Sequence, residues 1–190
     1  MNYKKSTHSY LILTILVLSS LLIISGCSKQ QKTYIAPQSE IKLSEVTKYT
    51  SVDKFTYNKV YFLESGSLSE SMVYEVKRDT FQNVPVYIIT NIKNDSKEVI
   101  YYNTDLSCVK IQAFNSENVL AEVSCPRKTG DENPTLKFQK FETISTPLGE
   151  FESKVYSYGS DNYWIHDSIP VPIKISKFDG AIILTLESFT

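Results

Sequence analysis

The chain has 190 residues, 42% of them hydrophobic and 22% charged. That is a globular composition and excludes an intrinsically disordered chain. Its 20 basic and 21 acidic residues leave a net charge of −1, which argues against nucleic acid as a partner, because a phosphate backbone needs a clustered basic surface.

The first element is an export signal. Lys4 and Lys5 form a short basic start, and no acidic residue follows before Cys27. The run from Tyr10 to Ile24 is apolar except for Thr14, Ser19 and Ser20. It is shorter than the ~20 apolar residues that a spanning helix requires, so residues 1–26 are expected to be a secretory signal peptide. The run ends in Ile24-Ser25-Gly26-Cys27, which resembles the lipobox of prokaryotic lipoproteins. The resemblance implies cleavage after Gly26 and a diacylglyceryl anchor on Cys27. Two acyl chains hold a protein on a membrane where one would be marginal. Cleavage removes His8 and leaves His166 as the sole histidine.

Residues 27–45 are polar and irregular, contain Pro37, and are expected to be a lipidated tether. A single β-rich domain is expected from 46 to 190. Thirteen Tyr and nine Phe against six Gly favour strands, and the apolar pattern has period two rather than 3.6. The expected strands are 55–62, 70–78, 84–92, 97–103, 106–114, 118–125, 136–145, 151–158, 162–166, 170–178 and 181–189. Ser65 to Ser71 is serine-rich and reads as a flexible loop. Short connections make most neighbours antiparallel. The expected fold is all-β or β-dominated: an antiparallel meander that must curl into a half-barrel or a sandwich.

Once Cys27 is lipidated, Cys108 and Cys125 remain, and outside the cytoplasm they are expected to form a disulfide. A three-residue loop would pair Val109 with Val123 and Ile111 with Ala121, placing Lys110 opposite Glu122. Near the end, Asp179-Gly180 is a preferred type I′ pair. Closing on it sets Ile175 opposite Leu184 and Lys174 opposite Thr185. Thr146-Pro147-Leu148-Gly149 is a second turn, with Pro and Gly at favoured positions.

The stretch 142–186 carries Thr146-Pro147, Gly149, Phe151, Tyr163-Trp164, Pro170-Val171-Pro172-Ile173-Lys174 and Gly180. It resembles a pattern of exported prokaryotic proteins similar to the half-barrel periplasmic lipoprotein carriers. The resemblance implies a curved antiparallel sheet whose concave face shelters an apolar ligand. Unlike the carriers, this chain shows no clear helix to plug that face.

Catalytic, metal and cofactor motifs are absent from the sequence. His166 with Asp161 or Asp167 is a conceivable hydrolytic centre, although a lone His beside Tyr163 and Trp164 more often serves packing. Asp131 and Glu132 lack the alternating oxygens of a calcium loop and read as a solvated loop. Asn94-Asp95-Ser96 matches a glycosylation sequon but reads as a hairpin turn. Tyr74, Tyr87, Tyr101, Tyr102, Tyr156, Tyr158, Tyr163 and Trp164 could line a ligand groove, although strand packing explains each of them.

The expectation is a lipid-anchored protein facing out of the cytoplasm, with no cofactor, that binds an apolar small molecule or lipid. The alternatives are a structural or adhesive protein that binds other envelope proteins, and a small hydrolase using His166.

Overall fold

A computed structural model describes residues 36–93, 96–115, 120–123, 125 and 133–190. The expected signal peptide (residues 1–26), Cys27, Asn94-Asp95 and Asp131-Glu132 lie outside the described residues. Residues 37–190 form a compact unit that holds both hydrophobic clusters and the disulfide.

Twelve antiparallel strands form one sheet. They are β1 (Glu40–Lys42), β2 (Lys54–Leu63), β3 (Gly66–Phe81), β4 (Val84–Lys93), β5 (Ser96–Asn103), β6 (Cys108–Phe114), β7 (Leu120–Val123), β8 (Thr135–Thr146), β9 (Gly149–Tyr158), β10 (Asp161–Ile165), β11 (Lys174–Lys177) and β12 (Ile182–Phe189). One helical turn, α1 (Leu43–Val46), follows β1. The order across the sheet is β1-β8-β9-β10-β11-β12-β2-β3-β4-β5-β6-β7. Two meanders, β2–β7 and β8–β12, therefore meet at a β2–β12 seam, where Tyr57 pairs with Leu186 and Phe55 with Phe189.

The chain itself requires curvature. Strands lie about 4.8 Å apart, so a flat sheet would separate β7 from β8 by roughly 48 Å. The connection 124–134 reaches about 40 Å at full extension. Bulges at Leu186/Ser188, Phe138/Lys140 and Tyr101/Tyr102 help, because each bends its strand and increases its twist. The fold is thus a single open curled sheet rather than a sandwich of two sheets. Its main core joins Val76 and Ile89 of β3 and β4 with Ile144, Val155 and Trp164 of β8–β10. A second cluster packs Val46 of α1 on Leu136, Tyr156, Tyr163 and Ile165.

Several expectations change. The folded part begins before position 46. Within the expected tether, β1 pairs with β8, and α1 is held by Asn133, whose Oδ1 accepts from Ser44 N at 2.9 Å. Ser65–Ser71 is not a loop beyond its turn: from Gly66 it is strand, paired with β2 through Leu63↔Gly66 and Tyr61↔Leu68. The expected strand 170–178 is regular only over Lys174–Lys177. Leu106, with φ 66°, keeps β6 from starting before Cys108.

Both cysteines are joined as expected, with Cα atoms 5.9 Å apart. The hairpin register differs, however, with Ile111 facing Val123 and Ala113 facing Ala121. A slip of two keeps every side chain on its face, so the apolar pattern cannot distinguish the two registers. Lys110 still reaches Glu122, now diagonally, at 2.7 Å. The C-terminal hairpin closes as expected: Ile175 faces Leu184 and Lys174 faces Thr185. Asp179 (φ 54°, ψ 31°) and Gly180 (φ 93°) have the positive φ of a type I′ turn, which Ala181 N closes by donating to Phe178 O at 3.1 Å.

Candidate ligand cavity

Strand register places one set of side chains on a common face. Tyr163 faces Ile175 and Ile175 faces Leu184. Leu184 faces Lys59, two residues from Tyr57 on the same side of β2. Phe55 faces Tyr74, Val76 faces Ile89, and Ile89 faces Ile100. Because alternate residues share a face, seven adjacent strands from β10 to β5 present these residues together. Curvature turns that face into a hollow of about 300 Å³, lined by Phe55, Tyr57, Tyr74, Ile89, Ile100, Tyr102, Tyr163, Ile175 and Leu184. Lys177 lines it as well.

The hollow has a roof made of two segments. Leu43 and Thr47 come from α1 and its C-terminal end, with Tyr49 just beyond, and Val171-Pro172 come from the segment between β10 and β11. Arg78 on β3 pins the first segment: its Nε donates to Tyr49 O at 3.0 Å, one terminal nitrogen to Val52 O at 2.9 Å and the other to Asp53 at 2.8 Å. Tyr57 reaches up from the floor and donates its hydroxyl to Pro172 O. Lys48 N donates to Pro170 O at 2.6 Å and ties the two roof segments together. Among the described residues no full helix plugs the concave face, and this short two-segment roof covers it instead. Part of it is helical, but a single four-residue turn is too short to show a periodic stripe.

The tyrosines are held neutral. Burial pushes the Tyr57 and Tyr49 phenols up, and neighbouring tyrosine hydroxyls add to the effect. Burial also raises Tyr74 to about 12, with Glu98 and Tyr102 contributing, and Tyr163 to about 12, with Asp161 contributing. Loss of hydration disfavours phenolate, so these hydroxyls serve as hydrogen-bond donors and weak acceptors rather than as bases.

No family model, curated protein or solved structure matches this chain. The geometry alone therefore describes the site.

Of the aromatic residues singled out in the sequence, Tyr74, Tyr102 and Tyr163 line the hollow. Tyr87 packs edge-on against Tyr49, with centroids 5.6 Å apart. Tyr101 lies on the opposite face against Phe81 at 5.5 Å. Tyr156 and Trp164 are core residues, and Tyr158 is exposed. His166 is not among the lining residues. Its Nδ1 lies 2.8 Å from Ser168 Oγ and its ring stands edge-on to Phe151. Both nearby acids are engaged elsewhere: Asp167 takes Lys154 Nζ at 2.8 Å on each oxygen, and Asp161 accepts Phe178 N at 3.1 Å. Among the described residues no three His, Cys, Asp or Glu side chains converge as a metal site.

Phe55, Tyr57, Tyr49, Leu43 and Thr47 were not foreseen. Phe55 and Tyr57 alternate correctly on β2, and that signal could have placed them on one face. Leu43, Thr47 and Tyr49 carry no such signal, because they reach the hollow through α1 and the segment after it rather than through a strand.

Proposed function

We propose that this protein is an extracytoplasmic binding module, tethered to the membrane through Cys27, that holds an apolar small molecule or acyl chain in the roofed hollow. The observation that supports this is the aromatic and aliphatic lining of a cavity of about 300 Å³, a volume at the lower end of small-molecule sites. The test is native mass spectrometry of the protein purified from its host, with an Ile100→Trp variant alongside to fill the hollow. A co-purifying apolar mass that disappears in the variant supports the reading. An empty wild-type protein that also shows no thermal shift with a lipid panel overturns it. Anchoring is tested separately by fractionating cells that carry Cys27→Ala, which should lose membrane attachment and processing.

Protein binding is a second reading, favoured by a different feature. Phe62, Leu63, Leu68 and Phe178 are each more than half exposed near the β2–β3 and β11–β12 turns. Of these, Leu63 and Leu68 share one face of the β2–β3 hairpin by register, and exposed apolar side chains gathered on one face mark contact surfaces. If Leu68→Lys with Phe178→Ser abolishes co-purification of a protein partner while an emptied hollow has no effect, this reading replaces the first.

A further inference from the structure

Every residue that lines the hollow is uncharged except Lys177. Lys177 follows Ile175 by two positions on β11, so the alternation that turns Ile175 inward turns Lys177 to the same face. It is half-buried, and no described residue gives its side chain an ion pair or an acceptor. The other lysine of β11 shows the contrast. Lys174 alternates to the opposite face, where its Nζ lies 4.5 Å from the Trp164 ring centroid. The acids on neighbouring elements are engaged elsewhere. Asp161 is two positions before Tyr163 on β10, and its Oδ1 accepts Phe178 N at 3.1 Å. Glu70 on β3 takes Lys93 Nζ at 2.7 Å, the Tyr61 hydroxyl at 2.7 Å and Lys59 Nζ at 3.8 Å. Asp179 is exposed in the β11–β12 turn. None of these three carboxylates lines the hollow.

An ammonium drawn out of water loses hydration, and only a counter-charge or good acceptors replace it. The lining around Lys177 offers mostly aliphatic and aromatic carbon, which balances no charge. A ligand that fills the hollow expels the remaining water and sharpens that imbalance. A neutral ligand leaves the ammonium unpaired, a cationic one is repelled by it, and an anionic one compensates it.

We propose that the ligand of the hollow is an acidic amphiphile, a carboxylate on an apolar body: the carboxylate pairs with Lys177 Nζ, while the hydrocarbon part packs on Phe55, Ile89, Ile100, Ile175 and Leu184. This rests on the binding-module reading above and names the class of molecule bound. A charge-assisted hydrogen bond exceeds a neutral one, so the carboxylate should bind about tenfold tighter than a neutral analogue of the same length.

The test uses residues 37–190, the compact unit that holds both hydrophobic clusters and the disulfide, in isothermal titration at pH 7.4. Three eight-carbon probes are compared below their micellar range: octanoate, 1-octanol and n-octylamine. The expected order is carboxylate first, alcohol second and amine last. Lys177→Met keeps an unbranched apolar side chain and removes the charge. It should reduce the advantage of octanoate over octanol to about twofold or less while leaving octanol affinity in place. Lys177→Arg should retain the advantage, and Lys177→Gln should lose it, which covers the case in which Lys177→Met fails to fold. If octanol or octylamine binds as well as octanoate, Lys177 only lays its stem along the lining, and the headgroup inference is overturned while the cavity reading stands. If none of the three binds, the cavity reading itself fails. A carboxylate preference that survives the loss of the Lys177 charge overturns the assignment to Lys177.

Discussion

Tyr57, on the floor of the hollow, hydrogen-bonds through its hydroxyl to the carbonyl of Pro172, 115 positions later in the chain. The bond joins the central strand pair to the irregular segment that replaces the first half of the expected strand 170–178. Pro172 lacks an N–H and cannot donate to a ladder, while its carbonyl still accepts and takes the Tyr57 hydroxyl.

Tyr57→Phe removes that donor and keeps the ring. The variant should lose about 1–2 kcal/mol, because the buried Pro172 carbonyl is left unsatisfied. Urea denaturation with an unchanged m-value would show this. A variant as stable as the parent would mean that the bond does not hold the roof.

Arg78→Lys should behave almost like Arg78→Ala. Arg78 reaches two backbone carbonyls and Asp53 with different nitrogens, a fork that a lysine point charge cannot reproduce. Hydrogen exchange over residues 47–53 should quicken in both variants while the β2–β12 seam keeps its protection. Full rescue by lysine would show that only the Asp53 ion pair matters.

Cys108→Ser paired with Cys125→Ser opens a loop of 17 residues' separation. The expected loss is up to about 3 kcal/mol, from greater freedom of the unfolded chain. The change should be local, since among the described residues β7 is an edge strand paired with β6 alone. Alkylation and mass spectrometry of the unreduced protein should find no free thiol at either position.

Alkaline pH should unfold the domain. Tyr74 and Tyr163 have folded pKa values pushed up to about 12 from an ordinary value of 10.0. A raised phenol stabilises fully below pH 10, and its contribution disappears as pH rises towards 12. Absorbance titration at 295 nm should therefore show an early group of exposed tyrosines and a late group that ionises together with loss of structure. A single smooth transition near pH 10 would contradict the raised Tyr74 and Tyr163 phenols.

The strands were legible because each alternates within a few residues and is bounded by turn residues. The Ile175–Leu184 register followed from turn chemistry and apolar pattern agreeing at one site. The Ile111–Val123 register did not, since a slip of two leaves the pattern unchanged. Serine content at 65–71 outweighed a weak alternation that only pairing with β2 reveals. β1 and α1 escaped notice because their partners, β8 and Asn133, are about ninety positions away and Glu40–Val46 has too few turns to show a period. The hollow was half visible: its tyrosines stood out, but which of them share a face depends on seven strands in register.

The β2–β12 seam has a consequence for how the molecule is made. Phe55 meets its partner Phe189 across a separation of 134 positions (189 − 55), and β2 and β12 occupy the middle of the sheet. A chain emerging N-terminus first can form the β2–β7 meander early, but one edge of β2 stays unpaired until β12 has been made. Pairings so distant in sequence are slow. The two meanders can thus form separately, and the sheet becomes continuous only when β12 closes the seam onto β2.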